Sequence, residues 1–126
     1  MTFYEFPWPN EQIGYLLFPA CLENDPCVLF HGTAEKNLHS ILENGFVARP
    51  PLESISFAKN SRDSLSHWYG NRSPDLPENG LVIAVRFESL NVQGIQNNIS
   101  DIHVYKAGPI PKIIGYCVIP SAYKYI

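Results

Sequence analysis

A chain of 126 residues has room for one compact domain, because single domains commonly hold ~100–150 residues. The composition is 45% hydrophobic and 17% charged, which excludes a charge-rich disordered chain. The net charge of −3 argues against a general nucleic-acid clamp, which would need clustered lysine and arginine, although a site for one phosphate or one base stays open.

The sequence shows no sign of a membrane segment or of a secreted disulfide scaffold. No apolar run approaches the ~20 residues of a transmembrane helix, and the first residues, MTFYEFPWPNEQ, lack the basic and apolar regions of a signal peptide. Cys21, Cys27 and Cys117 contain no CxxC pair, so we expect neither a disulfide framework nor a metal site. A single Cys21–Cys27 bridge stays open. These features together predict a cytoplasmic protein without a membrane partner.

The first half of the chain predicts an N-terminal arm followed by a strand and a helix. Residues 1–20 are rich in aromatic side chains and prolines, so we expect an irregular arm packed on a domain formed by residues 21–126. The apolar run Cys27–His31 ends at a glycine and predicts a buried strand. Thr33 is then the expected N-cap of a helix over Ala34–Asn44, whose apolar residues recur with a helical period.

The rest of the chain predicts one more helix and several strands. Asn60 or Ser61 is the expected cap of a helix that ends near Tyr69. Residues 71–80 and 91–100 are polar and predict loops. Strands are expected over Ser54–Ala58, Leu81–Phe87, Ile102–Lys106 and Ile113–Ile119. Two short helices among the early strands and an all-strand second half predict a single α+β domain.

Polar residues at strand ends are the candidates for chemistry, because the chain has no Gly-rich phosphate loop, HExxH or GxSxG motif. His31, Gly32 and Thr33 lie where the first strand is expected to meet a helix, and free backbone N–H groups there suit anionic or carboxamide groups. Gly32 would let a planar ligand approach the backbone. The purely structural alternative is that His31 caps the turn and packs.

A second group of candidates lies on the following strand and helix. Ser64 and His67 are three residues apart and share a helix face, and Ser56 lies in the preceding strand. Asp101 precedes a later strand. The structural alternatives are an ordinary amphipathic helix with Trp68 in the core and a solvated turn carboxylate.

Three segments, taken in order, resemble the motifs of the ADP-ribosyltransferase catalytic fold. The segment VLFHGTAEKNLHSILENGF is similar to the first motif, a strand ending in His-Gly-Thr followed by a helix containing Ile-Leu. SISFAKNSRDSLSHWY is similar to the second motif of the poly-ADP-ribose polymerase and diphtheria-toxin branch. DIHVY is similar to the third motif, in which an acidic residue opens a strand. The resemblance implies an α+β domain with a split β-sheet core and two short helices, and it also implies NAD as co-substrate.

The resemblance assigns several residues to NAD. His31 would hydrogen-bond the adenosine ribose, and the backbone of Gly32 would hold the nicotinamide carboxamide. Thr33 would support the same turn. Ser64 would contact the carboxamide oxygen, and His67 would stack on the nicotinamide ring. Trp68 and Tyr69 are neighbouring rings that could stack instead, and of these we include Tyr69 in the expected binding set.

The expected catalytic set is His31, Ser56 and Asp101. Asp101 would stabilise the positive charge that develops at the ribose in the transition state. The sequence departs from the family pattern twice, because Asp101 stands where glutamate is expected and Ser56 replaces the first tyrosine of the His-Tyr-Glu branch. Glu88 and His103 are substitutes if the third motif lies elsewhere.

The function implied is that of a small stand-alone bacterial or phage-type mono-ADP-ribosyltransferase. It would use NAD to modify a macromolecular acceptor, preferably a host protein, in the cytoplasm or in the host-cell cytosol if the protein is an effector or toxin. The two departures keep open a degenerate NAD-binding or ADP-ribose-binding domain, and fold alone keeps open a non-enzymatic inhibitor or interaction protein. The RNA 2′-phosphotransferase branch would need more basic residues near the site.

Overall fold

Seven strands and three α-helices make up the computed structural model, which describes residues 1–73 and 75–124. The strands are β1 (Thr2–Tyr4), β2 (Val28–Ala34), β3 (Ser54–Ala58), β4 (Gly80–Arg86), β5 (Ile95–Asn97), β6 (Asp101–Tyr105) and β7 (Lys112–Ile119). The helices are α1 (Ala20–Glu23), α2 (Leu38–Asn44) and α3 (Ser61–Asn71). The strands form one sheet in the order β1-β7-β4-β2-β3-β6-β5, in which only β1 and β7 pair in parallel. The expected α+β class is confirmed.

The sheet divides into two halves between β2 and β3. Strand β2 pairs with β4 from Val28 to Ala34, whereas Phe30 and Ala58 form the single register pair between β2 and β3. We call β1-β7-β4-β2 the four-strand half and β3-β6-β5 the three-strand half. Because the β2–β3 ladder is so short, the backbone groups of the two strands separate and leave room for a cleft between them.

The four-strand half holds the centre of the core, because β4 is buried on both faces. All residues from Gly80 to Val85 are buried, as expected for a strand that reads as one continuous apolar run. On one face, Val82 and Ala84 pack with residues of α3 and the N-terminal segment. On the other face, Ile83 and Val85 pack with Phe57, Ile102 and the helix α2.

The N-terminal segment packs on the four-strand half through its aromatic side chains. The rings of Tyr4 and Phe18 lie 5.2 Å apart, and Phe18 lies 5.2 Å from Phe30 of β2. The segment is not as irregular as expected, because Thr2–Tyr4 forms β1 and Glu11–Ile13 forms a 3-10 turn.

A carboxylate in α1 connects this segment to the start of α3. Glu23 accepts hydrogen bonds from the backbone N–H of Ser61 at 3.1 Å and of Phe18 at 3.1 Å, and also from the Ser61 hydroxyl. The Ser61 oxygen accepts in turn from the backbone N–H of Leu17 at 2.8 Å. A negative charge at the first turn of α3 is also favoured by the helix dipole. These bonds fix the end of the helix that carries several candidate residues.

The helix expected over Ala34–Asn44 is α2, and its predicted start at Ala34 is wrong because α2 begins at Leu38. Strand β2 continues to Ala34 because it pairs with β4 as far as Ala34 opposite Gly80. Thr33 therefore lies in a strand and is not an N-cap, and a 3-10 turn at Glu35–Asn37 precedes α2.

A second correction concerns the segment 91–100, which was expected to be a loop. It contains β5, which pairs with β6 from Ile95 opposite Val104 to Asn97 opposite Ile102. The register puts Gln96 of β5 opposite His103 of β6. The short strand therefore completes the three-strand half beside the third motif.

Candidate functional site

A cleft of about 220 Å³ lies at the junction of the two halves of the sheet, next to α3. Six of the expected site residues line it: His31, Gly32, Ser56, Ser64, His67 and Asp101. Phe30, Phe57, Ala58 and Asp63 complete the lining among the described residues. Strand β2, strand β3, helix α3 and strand β6 each contribute, so the fold brings all three motifs to one place.

Two expected binding residues lie outside this lining. Thr33 accepts a hydrogen bond from the side chain of Asn37 at 2.8 Å. Tyr69 lies with its ring centroid 3.7 Å from the guanidinium carbon of Arg72 and packs edge-to-face on Tyr123. Trp68, the other ring considered for stacking, is buried in the core. The contacts that the structure shows for Thr33 and Tyr69 are therefore with neighbouring residues outside the cleft lining.

His31 connects the two halves of the sheet. Its Nδ1 lies 2.9 Å from the carbonyl oxygen of Ser56, and a carbonyl only accepts, so Nδ1 carries the proton. Burial lowers the pKa of His31, an effect that the hydrogen bond to Ser56 only partly offsets. The ring is therefore neutral, with Nε2 as a lone-pair acceptor. The rings of Phe46 and Phe57 pack against the imidazole, with centroids 5.2 Å and 5.6 Å from its centroid, and hold it in place.

Close packing of α3 on β2 requires a glycine at position 32, which the sequence alone did not indicate. A Cβ atom at this position would lie 2.5 Å from the backbone oxygen of Ser64. The absence of a side chain thus lets α3 approach β2 closely and brings Ser64 to the cleft. This contact explains the glycine by packing alone. The predicted role of Gly32, to let a ligand approach the backbone, stays a prediction.

Helix α3 presents polar side chains to the cleft at helical spacing. Asn60, one of the two caps that the sequence predicted, caps the helix by accepting from the backbone N–H of Asp63 at 2.9 Å. Asp63, Ser64 and His67 then line the cleft, with Ser64 only 3% exposed. Asp63 is not among the residues predicted from the sequence, although its i, i+4 spacing to His67 places both on one helix face.

Asp101 opens β6, and its carboxylate is held by neighbours. Oδ1 accepts from the Asn98 amide at 3.1 Å, and Oδ2 lies 2.9 Å from His103 Nε2. The Ser56 hydroxyl approaches Oδ2 at 3.5 Å, which is long for a hydrogen bond. The hydrogen bond from Asn98, and after it the adjacent imidazole of His103, hold the pKa of Asp101 below its usual value. The carboxylate is therefore ionised.

The charges lining the cleft favour a cationic guest. Asp63 and Asp101 contribute carboxylates, the ring of His31 is neutral, and His67 is the remaining titratable side chain among the described lining residues. Among the described residues that line the cleft there is no lysine and no arginine. An isolated positive charge is therefore stabilised here, and a phosphate group is not.

A larger cavity of about 900 Å³ lies on the other side of Phe57, which lines both. Its walls are mostly apolar and include Phe46, Leu52 and Ile110. Glu53, Tyr105 and Lys106 are the titratable side chains among its described lining residues. Its walls lack the convergent hydroxyl, imidazole and carboxylate groups of the smaller cleft, so we place the chemistry in the smaller one.

Comparison with known proteins finds no matching family model and no matching curated sequence. Over residues 1–73 and 75–124, no group of three or more His, Cys, Asp or Glu side chains is arranged to hold a metal ion. Cys21, Cys27 and Cys117 are free thiols. Within the same residues, none of the helices has the length and apolar character needed to cross a bilayer. The three motifs, and the cleft at which their residues meet, are therefore the features that bear on function.

Proposed function

We propose that the protein is an NAD-dependent mono-ADP-ribosyltransferase, which transfers ADP-ribose to a macromolecular acceptor and releases nicotinamide. The observation that carries this proposal is the convergence of the three motifs on one cleft. His31 and Asp101 lie in different halves of the sheet and far apart in the chain, yet both line it. A host protein is the acceptor we favour, and the three free thiols fit a cytoplasmic setting.

The size and charge of the cleft support the nicotinamide end of NAD as the bound group. Pockets for drug-sized ligands measure ~300–1,000 Å³, so a cleft of about 220 Å³ suits a fragment of the dinucleotide. The nicotinamide ring of NAD is cationic and matches the carboxylates of Asp63 and Asp101. The anionic diphosphate does not fit among these side chains and would lie outside them.

Three side chains and one backbone segment have atoms suited to hold this group. The Nε2 of His31 could accept a hydrogen bond from a ribose hydroxyl, and in a cleft that holds the nicotinamide end this would be the nicotinamide ribose instead of the adenosine ribose that the resemblance implies. The hydroxyl of Ser64 and the backbone of Gly32 offer polar contacts to the carboxamide. His67 is exposed and lines the cleft, so its ring is available for stacking.

Asp101 would supply the electrostatic stabilisation. The overall reaction breaks the bond between nicotinamide and ribose, nicotinamide leaves with the bonding pair, and the acceptor nucleophile bonds the ribose carbon and loses a proton. A fixed, ionised carboxylate beside the ribose stabilises the positive charge that grows there. The hydrogen bonds from Asn98 and His103 keep Asp101 ionised and in place before the reaction.

A second candidate function is NAD or ADP-ribose binding without transfer. Two observations favour it: Asp101 is already engaged by Asn98 and His103, and Ser56 provides no stacking ring at its position in β3. This candidate predicts that NAD stabilises the folded protein while no nicotinamide is released.

The test is nicotinamide release from NAD, quantified by chromatography with and without a cell lysate as a source of acceptors. We expect release by the wild type and a loss of ~10²–10³-fold in Asp101→Asn, the range typical of removing one electrostatic stabiliser. Asp75→Asn is the matched control, because Asp75 is exposed and lies outside the cleft lining. Equal release by wild type and Asp101→Asn would contradict the proposal.

A further inference from the structure

His103 lies behind Asp101, between that carboxylate and the hydroxyl of Ser54. Its Nε2 is 2.9 Å from Oδ2 of Asp101, and its Nδ1 is 2.9 Å from Oγ of Ser54. The imidazole therefore connects two paired strands, β6 and β3, through side chains alone. Neither Ser54 nor His103 is among the described residues that line either cavity.

Strand geometry explains why the three groups meet. Asp101 and His103 are two residues apart on β6, so their side chains project from the same face. The register pairs His103 with Ser56 of β3, which makes Ser54 a diagonal neighbour on that face. The arrangement is thus fixed by the backbone ladder of the three-strand half.

The positions of the protons on His103 and Ser54 follow from which of their hydrogen-bond partners can donate. An ionised carboxylate only accepts, so Nε2 of His103 must carry the proton it donates to Asp101. In the neutral ring Nδ1 is then an acceptor, and the Ser54 hydroxyl donates to it. The Asp101 carboxylate therefore selects the Nε2–H tautomer of the neutral ring, and the Ser54 hydroxyl complements it at Nδ1.

We infer that His103 is a positioning residue, which orients the Asp101 carboxylate for catalysis and is itself oriented by Ser54. The inference rests on the proposed function, because it assigns the role through Asp101. An aspartate side chain is one methylene shorter than glutamate, so the placement of its oxygens depends on such anchors. A displacement of about 1 Å at a reacting group is enough to cost ~10²-fold in rate.

The test compares His103→Leu, His103→Gln and the control His39→Leu in steady-state nicotinamide release. His39 also pairs with a carboxylate, that of Glu43 at 3.1 Å, but lies on α2 with 84% of its side chain exposed. We expect His103→Leu to lower kcat by ~10²-fold with the KM for NAD unchanged. His103→Gln should recover most of the loss, because its amide N–H donates to Asp101, and His39→Leu should behave as the wild type.

A spectroscopic measurement keeps the inference independent of turnover. Nitrogen-15 NMR of the histidine side chains should show His103 as the Nε2–H tautomer, and Asp101→Asn and Ser54→Ala should each shift its signals. Unchanged kcat in His103→Leu, or the opposite tautomer, would overturn this inference and leave the proposed function standing. No release by the wild type would overturn the proposed function and the role of His103 together.

Discussion

The two halves of the sheet have opposite characters. In the four-strand half, β4 is buried on both faces and Phe30 of β2 has no exposed surface. In the three-strand half, one face carries the linked polar side chains of Ser54, His103 and Asp101. The candidate site lies where the two meet: β2 and the α3 helix packed on it contribute His31, Gly32, Ser64 and His67, and the three-strand half contributes Ser56 and Asp101. Variants in the two halves should therefore separate stability from activity.

The largest expected effect is on the stability of the four-strand half. Phe30→Ala removes a fully buried ring that packs on Phe18, which should lower the free energy of unfolding by ~3–5 kcal/mol. Ser56→Ala in the exposed face of β3 should change it by no more than ~0.5 kcal/mol. Equilibrium urea unfolding measures both. Similar losses in the two variants would remove the distinction between the halves.

A smaller effect is expected where the four-strand half meets α3. Gly32→Ala places a Cβ 2.5 Å from the Ser64 backbone oxygen, so we expect a destabilisation of ~1–3 kcal/mol from overpacking. Gly70→Ala is the matched control, because nothing lies within 4 Å of its added Cβ and alanine is favoured inside a helix. It should be neutral or stabilise by up to ~1 kcal/mol, again in urea unfolding.

The stability of Gly32→Ala decides whether its NAD affinity reports on the binding site or on packing. If Gly32→Ala unfolds as the wild type does, α3 is not packed on β2 as described. If it is destabilised as expected, any weaker NAD binding in that variant has a packing cause. His31 is therefore the better position at which to test the site.

The smallest expected effect is a pH dependence that arises at the junction itself. Burial lowers the pKa of His31 in the folded protein, so the unfolded chain binds the proton more readily. The contribution of this neutral ring to stability is present above the ordinary histidine pKa of ~6.5 and is lost as pH falls below it. The stability difference between wild type and His31→Gln, measured by thermal unfolding across this pH range, should shrink with acidification. A difference that grows with acidification would contradict the neutral assignment.

The sequence predicted the longer strands of both halves and missed one short strand in each, β1 in the four-strand half and β5 in the three-strand half. The continuous apolar run of β4 and the alternation of β3 identify these strands directly, and β3 has the expected bounds Ser54–Ala58. Strand β5 was missed because Ile95–Asn97 is only three residues long and mostly polar. Its pairing with β6 stabilises it, and such tertiary pairing cannot be read from a local pattern.

The sequence predicted six of the residues that line the cleft, but not how they are connected. Thr33 was placed at a helix N-cap because the sequence does not show that β2 keeps pairing with β4 as far as Ala34. The contact of His31 with the Ser56 carbonyl depends on where the β2–β3 ladder ends, which no local pattern indicates. The proximity of Asp101 and His103 could have been predicted from the sequence, since the side chains of residues two apart in a strand lie on the same face.

The most direct test of the central claim is thermal unfolding with and without millimolar NAD for the wild type, His31→Ala and the control His39→Ala. A ligand at 100 times its Kd adds ~2.7 kcal/mol, which raises the Tm of a domain of this size by several degrees. We expect this shift in the wild type and in His39→Ala, and its loss in His31→Ala. No shift in the wild type, or an equal shift in His31→Ala, would contradict NAD binding at the cleft between the two halves of the sheet.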